Sequence, residues 1–492
     1  MNNAGNNGNY WSSSLNTDNP NNAWNVNFNS DNVNRNNNNR YYGQSVRPVL
    51  FGAFGSFLIF FFEKAIFDMY GLSYKQLLDD LYRAYYDARR HKCGRAYQQR
   101  FERHADTLLA ELCHDLYYRH YEARPSSCFT ITDPKKREVF AADFRDRIVH
   151  HLYYNYTHRL FERTFVADTY SCIKGRGTHF GIARLQTQIR RASRNYAVPC
   201  FVLKMDIRGY FMHIDRQKLL DICLQTIDAM AGHKVQRCTP QRWCDVLDIE
   251  FVKYLTHEIV LLDPLSNCRI VGRPSDWDDL PPNKSLFNSP AGCGLPIGNL
   301  TSQLFSNVYL NRLDQYMKRT LHCRYYGRYV DDFYVVDTDK QRLHRIVGLV
   351  RTWLADELGL TLHEGKVVIR NVRYGVDFLG ACVRPYRIEA SAQSLRRMRP
   401  KIDKLCNAVN VNNRTREQVE HVRASVNSYC GVLMHGKNYH LRKELLGNKN
   451  KLRRIGYFDA AYAHFKPYGD LSYQAPDPPA YRQAGHTFGR QA

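Results

Sequence analysis

The chain contains 492 residues, of which 44% are hydrophobic and 24% are charged, and these proportions exclude a fully disordered, collagen-like or fibrous protein. Lys and Arg number 70 against 47 Asp and Glu, so the net charge of +23 favours a polyanionic partner such as nucleic acid. The fourteen cysteines include no C-x-x-C pair, which argues against a zinc site or a secreted disulfide scaffold and is typical of reduced thiols.

The first forty residues differ from the rest of the chain, because eighteen of them are asparagine. Such a tract buries too little apolar surface to offset its ordering entropy, so we expect no regular fold there. An apolar run of 14 residues follows, Val49–Phe62, which is shorter than the roughly 20 residues of a membrane-spanning helix. We interpret this run as a packed segment or the product of an early start codon, with a membrane anchor as the alternative.

The next segments have a helical period. Ser73 followed by Gln76 predicts a capped helix start. The apolar stripes of the two helices that follow are Leu77, Leu81 and Tyr85, and then Phe101, Leu108, Leu112 and Leu116. A further helix is predicted over 299–320, and the chain is helical again after Ala390.

Two strand patterns lie between the helices. Phe201, Leu203 and Met205 alternate with other residues, which predicts one strand. Segments 324–329 and 333–336 predict two strands around a tight turn.

Carboxylates occur at the ends of these predicted strands. Asp331 and Asp332 lie in the turn, and Asp206 follows the strand that begins at Phe201. Adjacent aspartates beside core strands repel one another, and a divalent cation removes that repulsion. If the strands pair, Asp206 and Asp331 meet at one sheet edge and could hold two Mg²⁺ ions roughly 3.5–4 Å apart. A simple Asp-Asp turn that caps its own backbone is the alternative.

The ordered set of motifs resembles the reverse transcriptases over residues 68–455. The matching segments, in chain order, are KREVFAADFRDR at 136–147, FVLKMDIRGYF at 201–211, GLPIGNLTSQ at 294–303, YVDD at 329–332, LTLHEGK at 360–366 and FLG at 378–380. The resemblance implies an α+β right-hand polymerase, with helical fingers, a palm with a small antiparallel sheet, and a short helical thumb. It also implies an RNA-directed DNA polymerase.

The resemblance assigns metal and catalytic roles to the palm. Asp206 and Asp331 would hold two Mg²⁺ ions, for which Mn²⁺ is a possible substitute, with help from the backbone carbonyl of Ile207. Asp332 would complete the acidic cluster. Lys366 would stand near the pyrophosphate as the proton donor.

The resemblance also implies contacts to the deoxynucleotide and to the nucleic acid. Phe211 would exclude a ribose 2′-hydroxyl. The remaining nucleotide-binding positions are Ile297, Gly298, Arg137 and Lys136, with Arg145 as a further phosphate ligand. The positions expected to bind template RNA and the DNA primer are Gln303, Tyr329, Lys443, Lys449, Lys451, Arg453 and Arg454. For the lysines and arginines among all these residues, an ordinary solvated surface is the alternative.

Five segments are expected from the same resemblance. They are an Asn-rich tail with an apolar linker over 1–67, fingers over 68–199, a palm with fingers elements over 200–390, a thumb over 391–455 and a C-terminal tail over 456–492.

Departures from the common pattern indicate a subfamily. Ile297 stands where most of these enzymes carry Gln, and Ser302-Gln303 stands where Ser-Pro is usual. This form is similar to the reverse transcriptases of diversity-generating retroelements, which copy a template-repeat RNA with errors at adenines for mutagenic retrohoming into a variable region. The implied partner is an accessory variability protein, a small basic helical oligomer, and the implied location is a prokaryotic cytoplasm without membrane attachment.

The Asn-rich tract has a matching interpretation. Asn codons begin with two adenines, so residues 1–48 resemble a translated template repeat, with a polar tail as the alternative. The rival functions for the whole chain are a retron-type polymerase, a group II intron enzyme and a catalytically idle RNA-binding scaffold.

Overall fold

The computed structural model of the protein describes residues 8–15, 22–29, 32–39, 72–90, 95–132, 135–236, 238–408, 415–434, 436, 438–447 and 449–468. The apolar run Val49–Phe62 and residues 469–492 lie outside these ranges. Within the described ranges, no helix combines the length and the apolar character needed to cross a membrane.

Helices account for most of the ordered chain. In order, the α-helices of the described residues are α1 (Tyr74–Arg89), α2 (Ala96–Glu102), α3 (Ala105–Tyr117), α4 (Phe144–Glu162), α5 (Thr178–Ala192), α6 (Arg216–Ala231), α7 (Trp243–Val246), α8 (Ile249–Leu261), α9 (Leu300–Gln315), α10 (Lys340–Leu358), α11 (Ala392–Ala408), α12 (Arg416–Met434), α13 (Tyr439–Arg442) and α14 (Asn450–Arg453).

The strands are short. In order, those of the described residues are β1 (Gly8–Leu15), β2 (Asn22–Asn29), β3 (Asn32–Asn39), β4 (Ser126–Ile131), β5 (Arg137–Ala141), β6 (Phe201–Asp206), β7 (Cys268–Ile270), β8 (Tyr325–Tyr329), β9 (Asp332–Asp337), β10 (Val368–Asn371), β11 (Val376–Phe378), β12 (Ala381–Arg384), β13 (Arg387–Ala390), β14 (Gly456–Phe458) and β15 (Phe465–Pro467). Together with the helices they confirm the predicted α+β class.

The chain divides into two units. The first comprises Met1–Phe161, Leu220–Leu280 and Pro296–Ser302, and the second comprises Glu162–Leu219, Pro281–Leu295 and Gln303–Ala492. This division moves a predicted boundary. Helix α5, expected in the fingers, belongs to the second unit, because Ile182, Leu185 and Ile189 pack in one buried cluster with β6 and β9.

The first unit contains the early helices and a small sheet. As predicted, the Ser73 hydroxyl caps α1 by accepting the amide of Gln76 at 3.1 Å. The predicted second helix is two helices, α2 and α3, and Leu109 rather than Leu108 is buried in its stripe. The sheet has the order β5-β4-β7, with β4 and β5 antiparallel and β4 and β7 parallel.

The Asn-rich tract differs from the sequence expectation. Strands β1, β2 and β3 form an antiparallel sheet in that order, although no regular structure was expected there. In β2, Trp24, Val26 and Phe28 recur at every second position, which is the strand period. This local alternation outweighs the polar composition on which the expectation depended.

The second unit is built on a four-stranded antiparallel sheet of order β10-β6-β9-β8, hereafter the palm sheet. Strand β6 was predicted from the alternation of Phe201, Leu203 and Met205. Val202 is buried as well as Leu203 and Met205, because the sheet is covered on both sides. The hairpin predicted around the Asp-Asp turn is confirmed as β8 and β9, and the helix predicted over 299–320 is α9 followed by a π-helical turn, Tyr316–Thr320.

The last helices of this unit form a separate buried cluster. Met398, Ile402 and Val426 lie in it, together with Ile455 and Phe465. Strands β14 and β15 pack in the same core as the helices of the predicted thumb, so this core continues beyond residue 455. The thirteen cysteines of the described ranges are free thiols.

Candidate active site

The predicted carboxylates meet at one edge of the palm sheet. In the β8–β9 hairpin, Tyr329 pairs with Asp332, which leaves Val330 and Asp331 as a two-residue turn. On the other side of β9, β6 is antiparallel and places Asp206 directly opposite Asp332. The register of three strands therefore brings Asp206 to the adjacent residues Asp331 and Asp332, from which it is far apart in sequence.

The electrostatics of this cluster reflect its crowding. Burial, followed by the negative charges of Asp206 and Asp332, raises the pKa of Asp331 to about 6. Burial also raises the pKa of Asp332, against the opposing effect of the Lys204 ammonium. Asp331 and Asp332 thus resist ionisation unless a cation is close.

Two lysines lie within reach of the carboxylates. The Lys366 ammonium donates to Asp206 Oδ1 at 2.7 Å, and Lys204 Nζ lies 3.6 Å from Asp332 Oδ2. Lys366 was predicted near the pyrophosphate, and the structure places it on the first aspartate. Lys204 was missed, although its position two residues before Asp206 puts it on the same face of β6.

The donor set fits a hard divalent cation. Asp206 and Asp331 provide carboxylate oxygens, which Mg²⁺ prefers. The hydrogen bonds beside Ile207 run from His363 N to Asp206 O and from Arg208 N to Thr361 O, both 2.8 Å, so they do not use the Ile207 carbonyl. Within the described ranges, no three His, Cys, Asp or Glu side chains are arranged to hold a metal by themselves. Waters or a bound phosphate would therefore complete the shell, as is usual for Mg²⁺.

A buried ion pair lies next to the turn formed by Val330 and Asp331. Arg328 and Asp314 are both fully buried, and the guanidinium donates to the two carboxylate oxygens at 2.7 and 2.6 Å. A third nitrogen of Arg328 donates to the carbonyl of Val330 at 3.0 Å and to Asn307 Oδ1 at 3.1 Å. The pair therefore connects helix α9 to the backbone of the turn that carries Asp331.

The turn itself is strained. Val330 has a φ of 56°, a left-handed conformation that a β-branched residue rarely adopts. Its amide donates to the hydroxyl of Ser171 at 3.1 Å, and that hydroxyl donates to Asn307 Oδ1 at 3.1 Å. Both polar groups of Val330 are thus fixed, which holds the strained conformation in place.

The other palm positions are partly or fully accessible. Phe211 is half-buried, its ring packs edge-on against Tyr210 at 5.3 Å, and its carbonyl accepts the Leu295 amide at 2.8 Å. Gln303 is exposed on α9, and Tyr329 is half-buried beside the turn. Phe211 is therefore not an ordinary core residue.

The predicted nucleotide loop lies in the first unit, against β5. The Phe140 amide donates to the carbonyl of Ile297 at 2.8 Å. Gly298 has a φ of 133°, and a Cβ there would approach the Phe140 carbonyl oxygen to 2.7 Å. Only glycine fits such a close approach, so the sequence pair Ile297-Gly298 is held against the strand that begins with Arg137.

The predicted cations of the first unit separate into two groups. Arg137 is exposed, and the Lys136 ammonium donates to the Asp278 carbonyl. Arg145 is buried, and its guanidinium pairs with Asp115 at 2.5 Å and with Asp146 at 3.5 Å. The prediction that Arg145 binds phosphate is wrong, because its charge is used inside the unit.

A buried histidine next to this loop predicts acid sensitivity. The His150 ring nitrogen lies 2.8 Å from the hydroxyl of Thr301, and burial lowers the pKa of His150 to about 4. Between about pH 6.5 and pH 4 the unfolded chain binds a proton that the folded chain does not, so stability falls as the pH falls. We expect His150→Gln to remove about 2 kcal/mol of the destabilisation seen at pH 5.

Melting temperatures at pH 7.5 and pH 5 test this expectation. The fall in melting temperature from pH 7.5 to pH 5 should be smaller in His150→Gln than in the unmodified protein. In His344→Gln, at an exposed position of α10, this fall should be the same as in the unmodified protein. Parallel pH profiles for His150→Gln and the unmodified protein would contradict the assignment.

The predicted thumb cations are mostly accessible. Lys443, Lys451, Arg453 and Arg454 are exposed. Lys449 is half-buried and pairs with Asp403. Four of the five positions therefore present positive charge to solvent.

Comparison with known proteins identifies the family of this chain. Residues 134–383, half of the chain, match the family model of reverse transcriptase (RNA-dependent DNA polymerase). The chain belongs to the reverse transcriptase family. The enzyme class predicted from the sequence, an RNA-directed DNA polymerase, is therefore confirmed for the matched domain, and reverse transcriptases generally use divalent metal ions and bind template RNA and nucleotides.

Solved structures similar to this reverse transcriptase are distant. A telomerase from Candida albicans in complex with a TWJ fragment of telomeric RNA shares 10% identity, with 66% of this chain and 57% of that chain covered and a TM-score of 0.39. Apo telomerase from Candida tropicalis shares 9% identity, with coverages of 66% and 60% and a TM-score of 0.39. This reverse transcriptase thus spans less than two thirds of either telomerase. Among curated proteins, none matches its sequence.

Proposed function

We propose that the whole protein copies an RNA template into DNA at the edge of the palm sheet. The observation that carries this proposal is the strand register that places Asp206 opposite Asp332, with Asp331 in the adjoining turn. Two Mg²⁺ ions, replaceable by Mn²⁺, would activate the primer 3′-hydroxyl and stabilise the leaving pyrophosphate. Asp206 and Asp331 would hold them, with Asp332 and the Ile207 carbonyl completing the protein's share.

Other residues of the chain would position the substrates. Phe211, half-buried beside the turn that follows β6, supports a role as the group that crowds a ribose 2′-hydroxyl. Exposed Arg137 supports a role in holding the triphosphate. The exposed thumb cations support salt-dependent contacts to the template backbone.

We further propose that this enzyme serves a diversity-generating retroelement. Ile297 and Gln303 support this assignment, as does the asparagine-rich composition of residues 1–48. The expected partners are the template-repeat RNA, a DNA primer and an accessory variability protein that is a small basic helical oligomer. The free thiols support a reducing compartment, which we take to be the cytoplasm of a prokaryotic or phage-infected cell.

Sequencing of cDNA made by the purified chain, with the element's own RNA and its partner, tests this assignment. Substitutions concentrated at template adenines are expected, and Asp331→Ala should abolish the product. Faithful cDNA that depends on Asp331 would instead assign the chain to the retron or group II intron enzymes. If no DNA synthesis depended on Asp331, the remaining interpretation would be an RNA-binding scaffold.

The identity of residue 297 predicts part of the error rate. A glutamine amide can hydrogen-bond to the nascent base pair, whereas an isoleucine side chain selects by shape alone. We expect Ile297→Gln to lower misincorporation opposite template adenine about three- to tenfold, which is the value of one net hydrogen bond. Ile297→Leu is the matched control and should keep the error rate. Unchanged misincorporation in Ile297→Gln would disprove the idea.

A further inference from the structure

An exposed surface lies at the end of the palm sheet that is opposite to Asp206, Asp331 and Asp332. Strand β6 runs from Phe201 to Asp206, a length of about 17 Å. At its Phe201 end, β10 pairs through Asn371 and continues into a turn that ends at Tyr374. The turn between β12 and β13 lies at the same end, because the Arg384 guanidinium donates to the Tyr374 carbonyl at 3.3 Å.

Three tyrosines define this surface, which we call the distal tyrosine surface: Tyr196, Tyr374 and Tyr386. Tyr374 and Tyr386 are each 66% exposed, the highest values among the large hydrophobic side chains of the described residues. The Tyr386 ring lies 4.6 Å from that of Tyr196, and its hydroxyl donates to the Asn195 carbonyl at 3.3 Å. The Tyr386 ring is therefore anchored by residues 195 and 196 while it is presented to solvent, and the Tyr374 ring is exposed beside it in the same region of the fold.

The charge around the tyrosines is positive. Arg384 and Arg387 share Glu389, at 3.1 and 2.9 Å. Arg194 and Arg373 are exposed, and within the described ranges neither forms an ion pair. Four arginines against one glutamate leave a net positive rim beside the rings.

Backbone strain is concentrated at the same place. Arg194, Asn195 and Tyr196 have successive φ values of 49°, 60° and 69°, and Tyr386 has a φ of 64°. These four are among eleven non-glycine residues with positive φ in the described part of the chain. Such conformations are unfavourable and persist mainly where they position functional groups.

We propose that the distal tyrosine surface binds a single-stranded segment of nucleic acid outside the copying site. Tyrosine rings stack on unpaired bases, and arginines contact the phosphates between them. A duplex offers no free base faces, so a single strand is favoured. A protein partner is less favoured, because such interfaces have a core depleted of charge, whereas here an arginine lies within two residues of each tyrosine in the sequence.

Binding of labelled oligonucleotides to the full chain tests this proposal. The probes are oligouridylate and oligothymidylate of about 20 nucleotides, measured with excess blunt RNA–DNA hybrid present to occupy the copying site. Tyr374→Ser/Tyr386→Ser should weaken binding about tenfold or more, because each stacked base contributes to affinity. Tyr86→Ser, at a 57% exposed tyrosine of α1, is the matched control and should bind as the unmodified protein does.

The outcomes are separable. Weaker binding of both probes supports a surface for any single strand, and weaker binding of the RNA alone supports one that also contacts the 2′-hydroxyl. Equal affinity in the double variant and the unmodified protein would overturn the proposal. The proposal would also be overturned if the double variant bound both probes with unchanged affinity but no longer bound a protein partner that the unmodified chain binds. Asp331→Asn should leave this binding intact, so the proposal and the assigned polymerase activity fail independently.

Discussion

Asp331→Asn is expected to lower the rate of primer extension by at least about a thousandfold, or about 4 kcal/mol of activation free energy. The asparagine keeps the shape of the turn but removes an anionic oxygen, beside the Asp206–Asp332 pair, that a divalent cation needs. It also removes a carboxylate whose pKa is raised by burial, so the melting temperature should not fall. Steady-state extension of an RNA-templated primer, with Mg²⁺ varied, measures the effect.

The matched control for this variant lies on β9, the strand that follows the turn. Asp337 is at the other end of β9, where it pairs with Arg342 at 2.5 Å. Asp337→Asn should extend primers within a fewfold of the unmodified rate. A rate for Asp331→Asn within tenfold of the unmodified enzyme would show that the turn does not hold the metal.

Asp314→Asn should be the most destabilising single change at the site. It leaves the Arg328 guanidinium fully buried without its counter-ion, and breaking such a pair costs about 3–5 kcal/mol. Removing both charges, in Asp314→Leu/Arg328→Met, should restore only part of that stability. No charge is then left buried, but the buried hydroxyls of Tyr326 and Thr169 lose the carboxylate that accepts their hydrogen bonds. Thermal and chemical unfolding measure both variants.

The double variant separates support of the fold from positioning of the turn. It also loses the hydrogen bond from Arg328 to the Val330 carbonyl, so the strained turn is free to relax. We therefore expect a melting temperature above that of Asp314→Asn, with primer extension reduced at least tenfold and a higher Mg²⁺ concentration at half-maximal rate. A double variant with full activity would show that the pair only stabilises the fold.

The sequence predicted the hairpin and its partner strand well, for a local reason. Apolar alternation predicted β6, and the two short segments on either side of the Asp-Asp turn predicted β8 and β9. The pairing of these strands brings Asp206 to Asp332. The Arg328–Asp314 pair was not predicted, because the burial of a charge depends on a partner 14 residues away on another element. Arg145 failed for the same reason: its motif position indicated a phosphate ligand, whereas Asp115 and Asp146 surround it.

Domain boundaries were less predictable than motifs. Helix α5 precedes the palm strands in sequence and was grouped with the fingers, but its stripe of Ile182, Leu185 and Ile189 packs against the palm sheet. A stripe shows that a helix buries one face and does not show against which element. In the same way, Phe465 belongs to the thumb core although a Pro- and Gly-rich segment follows it.

The pairing of β6 with β9 limits how the gene for this protein can change. Each residue of β6 has a fixed partner from Phe201–Asp337 to Asp206–Asp332, and both faces of the sheet are covered. A codon gained or lost within either strand would turn every following side chain to the opposite face. Length variation among descendants of this gene should therefore accumulate in the connections, such as 262–267 and 271–285, while these two six-residue segments keep their length even after their residues have diverged.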